Sequence, residues 1–292
     1  MKILVIGAAG FIGSNLIHRL IKQEISHVGI DNLRFGYREN LPPICNFVKQ
    51  DQKEIDAATM HTHGYDVMVH VACSNIIYAM ENPVQTMINN AVNTIQVMSR
   101  FKGKIVYTST ASVYGNSRSI PTYESDRIRL SNAYDTSKRI VEQYLQARGN
   151  FTTLRLSNVY GPRQRPENPY CGVIGKFMEQ FRDNKPITIF GDGQQTRDYT
   201  YVLDVIDAIM EAIQAKPLET ELNIATGKET SVMELAELIA GKQYDFRFVP
   251  ARRIDKIERR CLHIANARRL LNWKPKYTLQ EGIDQTMKFL SQ

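Results

Sequence analysis

The sequence lacks the features of membrane proteins and of disulfide-stabilised secreted proteins. Its 292 residues include no apolar run of about 18 residues, so no membrane-spanning helix is expected. The first residues have the pattern of a core strand, and no signal peptide is expected before them. Only four cysteines occur, and they have neither the spacing of a zinc site nor the density of a secreted scaffold. We therefore expect no metal site and a cytoplasmic location. The cysteines are Cys45, Cys73, Cys171 and Cys261.

The sequence also has no excess of acidic residues and no low-complexity tract. The formal net charge is +7, and the basic residues are spread along the chain apart from one cluster at 252–260. This distribution argues against a nucleic-acid partner and favours a small anionic substrate such as a diphosphate. A hydrophobic content of 43% and a charged content of 23% are typical of a globular chain with one large or two medium domains.

The first thirteen residues contain the most informative motif. An apolar run at 2–6 leads into Gly7-Ala8-Ala9-Gly10-Phe11-Ile12-Gly13, which predicts a strand, a tight turn and the start of a helix. This arrangement binds a dinucleotide pyrophosphate through backbone N–H groups and the helix dipole. A second apolar stretch ends at Asp31, whose carboxylate is expected to bind the adenosine ribose hydroxyls. We expect NAD as the cofactor. NADP stays an alternative, because Arg34 and Arg38 follow the acid closely and arginines there accommodate a 2′-phosphate.

Strand and helix patterns alternate through the first half of the chain. This alternation predicts an α/β fold, a Rossmann-type doubly wound parallel sheet, with a smaller C-terminal α/β substrate lobe. We expect residues 1–160 and about 194–214 to form the cofactor domain, and residues 161–193 and 215–292 to form the interleaved substrate lobe. The strands are predicted at 2–6, 26–30, 46–48, 67–71, 104–108 and 152–156, and the intervening helices at about 12–22, 84–101 and 133–148.

A group of hydroxyl residues and a Tyr-Lys pair indicate oxidoreductive chemistry. The strand predicted at 104–108 runs into Thr108, Ser109 and Thr110, whose hydroxyls are expected at the cofactor rim. Tyr134 and Lys138 are spaced i and i+4, so they share one face of the following helix. An ammonium group near Tyr134 would favour its phenolate, which could then remove a hydroxyl proton while hydride leaves the adjacent carbon.

Together these motifs resemble the extended short-chain dehydrogenase/reductase family, in its nucleotide-sugar epimerase/dehydratase group. The resemblance covers nearly the whole chain, and it implies NAD(P) on the large lobe and a nucleoside-diphosphate sugar against the small lobe. It also implies that Asp51 faces the adenine and that Asn90 supports the active site. Further stretches similar to the group are His70-Val71-Ala72, Asn89-Asn90-Ala91-Val92-Asn93-Thr94, Asn158-Val159-Tyr160-Gly161-Pro162-Arg163-Gln164, Pro169-Tyr170-Cys171-Gly172-Val173-Ile174 and Gly191-Asp192-Gly193-Gln194-Gln195-Thr196-Arg197-Asp198-Tyr199.

The resemblance and the motifs yield three sets of predicted site residues. The catalytic residues are Thr110, Tyr134 and Lys138. The substrate-binding residues are Ser109, Thr110, Asn158, Val173, Phe190, Arg197, Tyr199 and Arg253, of which Asn158, Arg197 and Arg253 are expected at the diphosphate. The cofactor-binding residues are Gly7, Gly10, Phe11, Ile12, Gly13, Asp31, Asn32, Arg34, Asp51, Gln52, Val71, Ala72, Cys73, Asn90, Thr108, Tyr134 and Lys138.

Departures from the group narrow the expected reaction. Sugar dehydratases of this group carry an Asp-Glu pair after the active-site Thr, and the decarboxylases keep the Glu, whereas this chain has Ala111 and Ser112. Neither residue can protonate a leaving hydroxyl as a carboxylic acid does. We therefore expect a UDP-hexose or UDP-hexosamine 4-epimerase acting through a 4-keto intermediate. The alternatives are an NADPH-dependent 4-reductase, with or without 5-epimerase activity on a 4-keto-6-deoxy sugar, and a non-catalytic cofactor-sensing protein.

Two further features lead to expectations about packing. Cys73 follows His70-Val71-Ala72, where small apolar residues are more usual, and it either packs or touches the sugar. The helices predicted at 84–101 and 133–148 resemble those that pair across a two-fold axis in this family. We expect a homodimer with a four-helix interface. The apolar residues Val92, Ile95, Ile140, Val141 and Leu145 are the candidates for it, and packing in the core of one subunit explains some of them equally well.

Overall fold

A computed structural model describes residues 1–165, 172–251 and 257–291 of the chain. Arg253, expected at the diphosphate, lies outside the described residues, as do Tyr170 and Cys171 of the quoted motif. In chain order, the strands are β1 (Lys2–Ile6), β2 (Ser26–Asp31), β3 (Phe47–Lys49), β4 (Val67–His70), β5 (Lys104–Thr110), β6 (Phe151–Leu156), β7 (Asn158–Tyr160), β8 (Ile187–Phe190), β9 (Thr196–Arg197), β10 (Tyr199–Tyr201), β11 (Glu221–Ile224), β12 (Thr230–Ser231) and β13 (Phe246–Val249).

The helices fall mainly between the strands of the first half and around the later, shorter strands. In the described part of the chain, no helix has the length and apolar content needed to cross a membrane. The helices are α1 (Phe11–Lys22), α2 (Ala57–Thr62), α3 (Ile76–Glu81), α4 (Pro83–Met87), α5 (Asn93–Ser99), α6 (Ala133–Arg148), α7 (Val173–Arg182), α8 (Val202–Gln214), α9 (Val232–Ala240), α10 (Ala265–Leu271) and α11 (Leu279–Leu290).

A parallel sheet of seven strands forms the large lobe among the described residues. Its spatial order is β11-β6-β5-β4-β1-β2-β3, and each neighbouring pair is parallel. The chain runs outward from β1 through β2 to β3 and then returns to place β4 on the other side of β1. This reversal creates a switch point at the carboxyl ends of β1 and β4, where such folds bind ligands. The predicted Rossmann-type fold is confirmed.

Both faces of the sheet are covered by helices. Successive side chains of a strand point to opposite faces, so Ile3 and Val5 of β1 pack in one core cluster and Leu4 and Ile6 pack in the other. The first cluster includes residues of α1 and α8, and the second includes residues of α5 and α6. A continuous apolar run in a central strand is the pattern expected for a sheet buried on both sides.

The smaller lobe contains short strand pairs and helices rather than a second large sheet. β8 pairs in parallel with β13, β9 pairs antiparallel with β12, and α7 packs against α9. One predicted boundary needs correction. Residues 215–292 were assigned to the smaller lobe, but β11 pairs with β6 from Glu221↔Thr153 to Ile224↔Leu156 and so belongs to the large sheet. The four residues of β11 are too few to show a recognisable strand pattern in the sequence. Their pairing with β6 is determined by long-range packing.

The helix predicted at 84–101 is interrupted. A π-helical turn at Ile88–Val92 separates α4 from α5. Within this turn the Asn90 amide clamps the loop after β4: Ser74 N donates to Asn90 Oδ1 (2.7 Å), and Asn90 Nδ2 donates to Ser74 O (2.8 Å). Such π-bulges are frequent at functional sites. Asn90 therefore fixes the backbone of the loop that follows β4.

Candidate active site

A cavity of about 320 Å³ lies at the carboxyl ends of β1, β2 and β4. The glycine turn forms one wall, and its conformation requires glycine: Gly7 has φ +92°, and a Cβ on Gly13 would lie 2.0 Å from Gly7 O. Gly10 caps α1 without a side-chain hydrogen bond, and the first turn of α1 contains no acidic residue. No acidic side chain of α1 itself therefore opposes the partial positive charge at this helix N-terminus, which suits an anionic pyrophosphate.

Asp31 occupies the end of β2 beside the glycine turn. Its Oδ2 accepts a hydrogen bond from Ala9 N (3.1 Å) and its Oδ1 accepts one from Leu33 N (2.8 Å). Burial raises the pKa of this carboxyl, and the backbone hydrogen bonds counteract that shift. Asp31 lines the cavity and is placed as a dinucleotide-binding acid is in this fold. The donors and the acid present here fit a dinucleotide.

The two arginines that follow Asp31 make contacts with other protein groups. Arg34 lines the cavity, but its Nη2 donates to the Tyr78 hydroxyl, and its guanidinium lies 5.4 Å from the centroid of the Phe35 ring. Arg38 donates to the carbonyl oxygens of Pro42 and Pro43, each at 3.2 Å. Both guanidinium groups therefore already bind protein atoms, and neither is held free to bind the 2′-phosphate of NADP.

Most of the remaining predicted cofactor residues share this cavity. Asp51 and Gln52 are not part of the cavity lining. Asp51 Oδ2 accepts a hydrogen bond from Asn32 Nδ2 (2.9 Å), and the Gln52 amide forms hydrogen bonds with Asn89 O and the His70 ring. Burial lowers the pKa of His70 to about 3, so this histidine is neutral. The cavity lining includes these predicted residues: Gly7, Gly10, Phe11, Ile12, Gly13, Asp31, Asn32, Arg34, Val71, Ala72, Cys73 and Asn90.

The predicted catalytic residues meet at the carboxyl end of β5. Thr110 ends this strand, and its Oγ1 accepts a hydrogen bond from Ser112 N (3.1 Å). Tyr134 and Lys138 lie on the first turns of α6, and the Lys138 ammonium is 5.9 Å from the centroid of the Tyr134 ring. Lys138 is 2% exposed and donates from Nζ to Thr108 O at 2.9 Å. The backbone of β5 therefore fixes the lysine beside the tyrosine.

The electrostatics of Tyr134 differ from the expectation that Lys138 would lower its pKa. Burial raises the pKa of Tyr134 well above its usual value, and the nearby Cys73 adds to this rise. The opposing influences come from hydrogen bonding with Thr110 and from the charge of Arg260. Burial also lowers the pKa of Lys138, because its ammonium group is nearly inaccessible to water.

Ser109 is turned away from Thr110, contrary to its predicted role in substrate binding. Its hydroxyl donates to Glu142 Oε1 at 2.6 Å, inside a buried network. Glu142 is also held by Arg155, which donates from Nε (2.9 Å) and Nη2 (2.8 Å). Adjacent residues of a strand point to opposite sides, so only one of Ser109 and Thr110 can face the site.

The other predicted substrate residues are spread along the smaller lobe and its junction with the sheet. Asn158 starts β7, and its N–H donates to Asp198 O at 3.1 Å. Val173 begins α7, Phe190 ends β8, and Arg197 ends β9, where its Nη1 donates to Thr196 O. Tyr199 is 4% exposed, and its hydroxyl has no hydrogen-bond partner in the part of the chain that the structure describes.

Two functional features were missed at the sequence level. The Asp198 carboxylate accepts hydrogen bonds from Thr226 N (2.8 Å), Gly227 N (2.9 Å) and Leu262 N (3.3 Å), and so joins three segments behind Arg197. Arg260 lies close enough to Arg197 and Tyr134 to interact with both electrostatically. The sequence signal for Arg260 was the Arg259-Arg260 pair, but a pair of arginines does not reveal which one points inward.

Comparison with known proteins agrees with this geometry. A UDP-glucose 4-epimerase from Mycolicibacterium smegmatis is 36% identical over 309 residues, covering 99% of this chain and 98% of the relative. UDP-glucuronic acid decarboxylase 1 from Arabidopsis thaliana is 30% identical, covering 97% of this chain and 68% of the relative. The crystal structure of a UDP-glucose 4-epimerase with UDP-glucose from Thermotoga maritima superposes with a TM-score of 0.92 at 30% identity, covering 100% of this chain and 99% of that one.

The family assignment follows from sequence and fold together. Residues 3–225 match the NAD dependent epimerase/dehydratase family, and this range contains the glycine turn, Asp31, Thr110 and the Tyr134–Lys138 pair. The chain belongs to the NAD-dependent epimerase/dehydratase family.

Proposed function

We propose that the protein is an NAD-dependent nucleotide-sugar 4-epimerase that acts on a UDP-hexose or UDP-hexosamine. The observation that carries this proposal is the convergence of Thr110, Tyr134 and Lys138 at the sheet edge that also contains the glycine turn. A relative of nearly the same length, the Mycolicibacterium smegmatis protein, is named as a UDP-glucose 4-epimerase. The intact Tyr134–Lys138 pair favours an enzyme over a cofactor sensor, since a sensor needs no base.

Each residue of the site has a distinct task in this reaction. When bound, NAD supplies the acceptor and then the donor of the hydride exchanged at carbon 4 of the sugar. Tyr134 takes the proton of the 4-hydroxyl through its Oη and later returns a proton to the same oxygen. The Thr110 hydroxyl orients that oxygen. Lys138, fixed by Thr108 O, provides positive charge near the phenol.

The residues after Thr110 favour epimerisation over dehydration or decarboxylation. Ala111 and Ser112 form a buried 3₁₀ turn that starts at the Thr110 cap. Neither side chain carries a carboxyl group, so neither can protonate a leaving hydroxyl at carbon 6. A 4-keto sugar formed at this site is therefore expected to persist until its carbon 4 is reduced again.

The proton-transfer role of Tyr134 is tested by Tyr134→Phe. The change removes the hydroxyl and little volume, so we expect turnover of UDP-glucose to fall by about a hundredfold or more, the scale of a lost general base. Calorimetry should give nearly unchanged affinities for NAD and UDP. Tyr144→Phe, on the same helix, is the matched control and should retain activity. Turnover of Tyr134→Phe close to that of the unmodified protein would contradict the mechanism.

The absorbance of reduced nicotinamide separates the epimerase from the reductase. An epimerase returns the hydride to the same sugar, so a UDP-sugar should be converted without net change at the reduced-cofactor band. The contacts of Arg34 with Tyr78 and of Arg38 with Pro42 support NAD over NADP. Steady consumption of added NADPH with a 4-keto sugar nucleotide would favour the reductase instead.

We also propose that two copies of the chain associate through exposed apolar residues of α3, α4 and the π-helical turn that follows α4. Met80, Val84, Ile88 and Val92 recur at intervals of four residues and are 49%, 72%, 40% and 58% exposed. Val141 and Leu145 are 0% exposed and so pack in the core of one subunit, the second of the two placements that the sequence leaves open. Ile95 and Ile140 are partly buried against the same core.

The dimer is tested by light scattering at micromolar concentration. We expect twice the mass of one chain for the unmodified protein. Val84→Glu should halve the scattering mass, because the substitution places two charges against each other across a two-fold axis. Leu238→Glu, at a different exposed apolar residue, is the control and should leave the mass unchanged. A monomer in the unmodified protein would refute this assembly.

A further inference from the structure

Arg260 is half-buried, and one nitrogen of its guanidinium lies inside the protein. Its Nη2 is inaccessible to solvent and has no hydrogen-bond partner within the described residues. Burial, together with a smaller effect of the Arg197 charge, lowers the pKa of Arg260 to about 10. Removing a charged group from water without compensating hydrogen bonds is costly, so a folded protein rarely keeps such a group unless something binds it.

The segment that carries Arg260 is anchored on both sides. Before it, Thr196 N donates to Glu258 O at 2.9 Å, and Arg259 forms an ion pair with Glu229 at the surface. After it, Thr122 N donates to Cys261 O at 2.8 Å, and the next residue donates its N–H to the Asp198 carboxylate. These contacts fix the backbone on either side of Arg260, so its inward placement is set by the fold and not by chance rotation of a loose loop.

The surroundings of the guanidinium consist of catalytic and substrate-lobe groups. The charge of Arg197 repels that of Arg260, whereas the Asp135 carboxylate and the phenolate form of Tyr134 attract it. Asp135 Oδ2 accepts from the Ser131 hydroxyl (2.8 Å) and Asn132 Nδ2 (2.8 Å), while Asp135 Oδ1, like Arg260 Nη2, is buried without a hydrogen-bond partner among the described residues. Asp135 therefore attracts the Arg260 charge, but no hydrogen bond joins Asp135 Oδ1 to Arg260 Nη2. Two guanidinium groups held near each other form a site that an oxyanion stabilises, since the anion cancels their repulsion and accepts their hydrogen bonds.

We propose that Arg260 is a substrate-binding residue whose guanidinium binds an oxyanion of the nucleotide sugar between Arg197 and Tyr134. This inference rests on the proposed function, because it takes the nucleotide sugar as the ligand of the cleft. The oxyanion has two possible sources, a phosphate oxygen of the diphosphate shared with Arg197 or a carboxylate carried by the sugar. Both present the planar or forked acceptor geometry that a guanidinium recognises through paired N–H donors.

The test compares Arg260→Gln with Arg259→Gln by calorimetry, using UDP, UDP-glucose, UDP-glucuronate and NAD as ligands. Arg259→Gln removes the adjacent, surface-exposed charge and should leave all four affinities unchanged. Arg260→Gln should weaken at least one uridine ligand by about ten- to a hundredfold, the effect of losing a charge-assisted contact, without weakening NAD. An equal loss for all three uridine ligands identifies a phosphate, and a loss confined to UDP-glucuronate identifies a sugar carboxylate.

Other outcomes would overturn either the role inferred for Arg260 or the proposed epimerase function. Unchanged affinity for all three uridine ligands, with a lower melting temperature, would make Arg260 a structural partner of Asp135. If Arg260→Gln does not fold, Arg260→Lys keeps the charge but loses the paired donors, and unchanged uridine affinities in that variant would also refute the inference. Failure of the unmodified protein to bind any uridine ligand would instead remove the proposed function.

Discussion

At the residue scale, Tyr134 shows how burial and catalysis oppose each other. The desolvated phenol resists ionisation, and the charges that favour its phenolate must come from close neighbours. Lys138 is fixed to the β5 backbone 5.9 Å from the centroid of the Tyr134 ring, and the charge of Arg260 also lowers the pKa of Tyr134. Binding of an anion near these cations is therefore expected to change how easily Tyr134 gives up its proton.

Arg197 provides a prediction about the diphosphate. Removing a charge-assisted contact costs about 1.5–3 kcal/mol, so Arg197→Ala should weaken UDP binding by roughly ten- to a hundredfold. NAD binding should not change, because its cavity lies on the other lobe. Isothermal calorimetry with each ligand separately measures both effects, and Arg182→Ala at the surface is the control. Retention of full UDP affinity by Arg197→Ala would remove this residue from the substrate site.

Cys73 provides a prediction about access to the cavity. Its thiol is exposed and lines the cavity, whereas Cys261 is buried. Iodoacetamide should therefore modify Cys73 faster than Cys261, and saturating NAD should slow the reaction at Cys73 by covering the thiol. Peptide mass spectrometry after timed quenching follows the modification of each cysteine. Cys45 is outside the cavity lining, so its modification rate shows whether NAD affects the iodoacetamide itself. Equal modification of Cys73 with and without NAD would place the cofactor elsewhere.

At the element scale, β5 and α6 form one unit in which a buried ion pair supports the catalytic edge. Glu142 is one turn beyond Lys138 on α6, and it connects Ser109 of β5 with Arg155 of β6. Tyr114 receives a hydrogen bond from Arg155 Nη1 at 2.9 Å and donates to Asn223 of β11 at 2.7 Å. The network therefore ties three strands to the helix that carries Tyr134.

Breaking this network should cost stability. Glu142→Gln leaves the 2%-exposed Arg155 without its charged partner, and uncompensated buried charges of this kind cost about 3–5 kcal/mol. Urea denaturation at pH 7 should show this loss, while Glu211→Gln at an exposed position of α8 should change the free energy of unfolding by no more than about 0.5 kcal/mol. A loss below 1 kcal/mol for Glu142→Gln would mean that the pair is more hydrated than its burial indicates.

The sequence predicted the elements whose signals are local. The glycine turn, the acid after β2 and the i, i+4 pair on α6 each depend on neighbouring residues, and each was located from its spacing alone. The roles of Ser109, Glu142 and Arg260 depend on which way a side chain faces and on partners far along the chain. The sequence did not predict β11 as a strand of the large sheet for the same reason, since its four residues form a sheet strand only through pairing with β6.

At the scale of the whole molecule, the C-terminal segment is fastened to the large lobe through two aspartates of α8. Asp207 pairs with Arg19 of α1 (2.6 Å) and with Lys276 (2.6 Å). Asp204 accepts from the N–H of Lys276 (2.8 Å), and its backbone carbonyl accepts from Trp273 Nε1 (2.9 Å). The segment that leads into α11 is thus connected to the helices that cover the sheet.

Asp204 should make the stability of the whole molecule depend on pH. Burial raises the pKa of its carboxyl to about 6 from its ordinary value of 3.8, and the backbone hydrogen bonds counteract this only in part. Between these two values the folded protein holds a proton that the unfolded chain has released. The contribution of this group to stability is therefore complete below about pH 4 and is lost as the pH rises through 6.

Comparison of the unmodified protein with Asp204→Asn isolates this contribution, because asparagine does not titrate. Each pKa unit corresponds to about 1.4 kcal/mol, so the difference in unfolding free energy should change by up to about 3 kcal/mol in favour of Asp204→Asn between pH 4 and pH 7. Urea denaturation at one protein concentration across this range measures it. Asp284→Asn, at an exposed position of α11, should show a difference that does not vary with pH. A flat difference for Asp204→Asn as well would mean that the Asp204 carboxyl keeps its ordinary pKa despite its burial, and that its hydrogen bonds to the C-terminal segment are those of a fully ionised group.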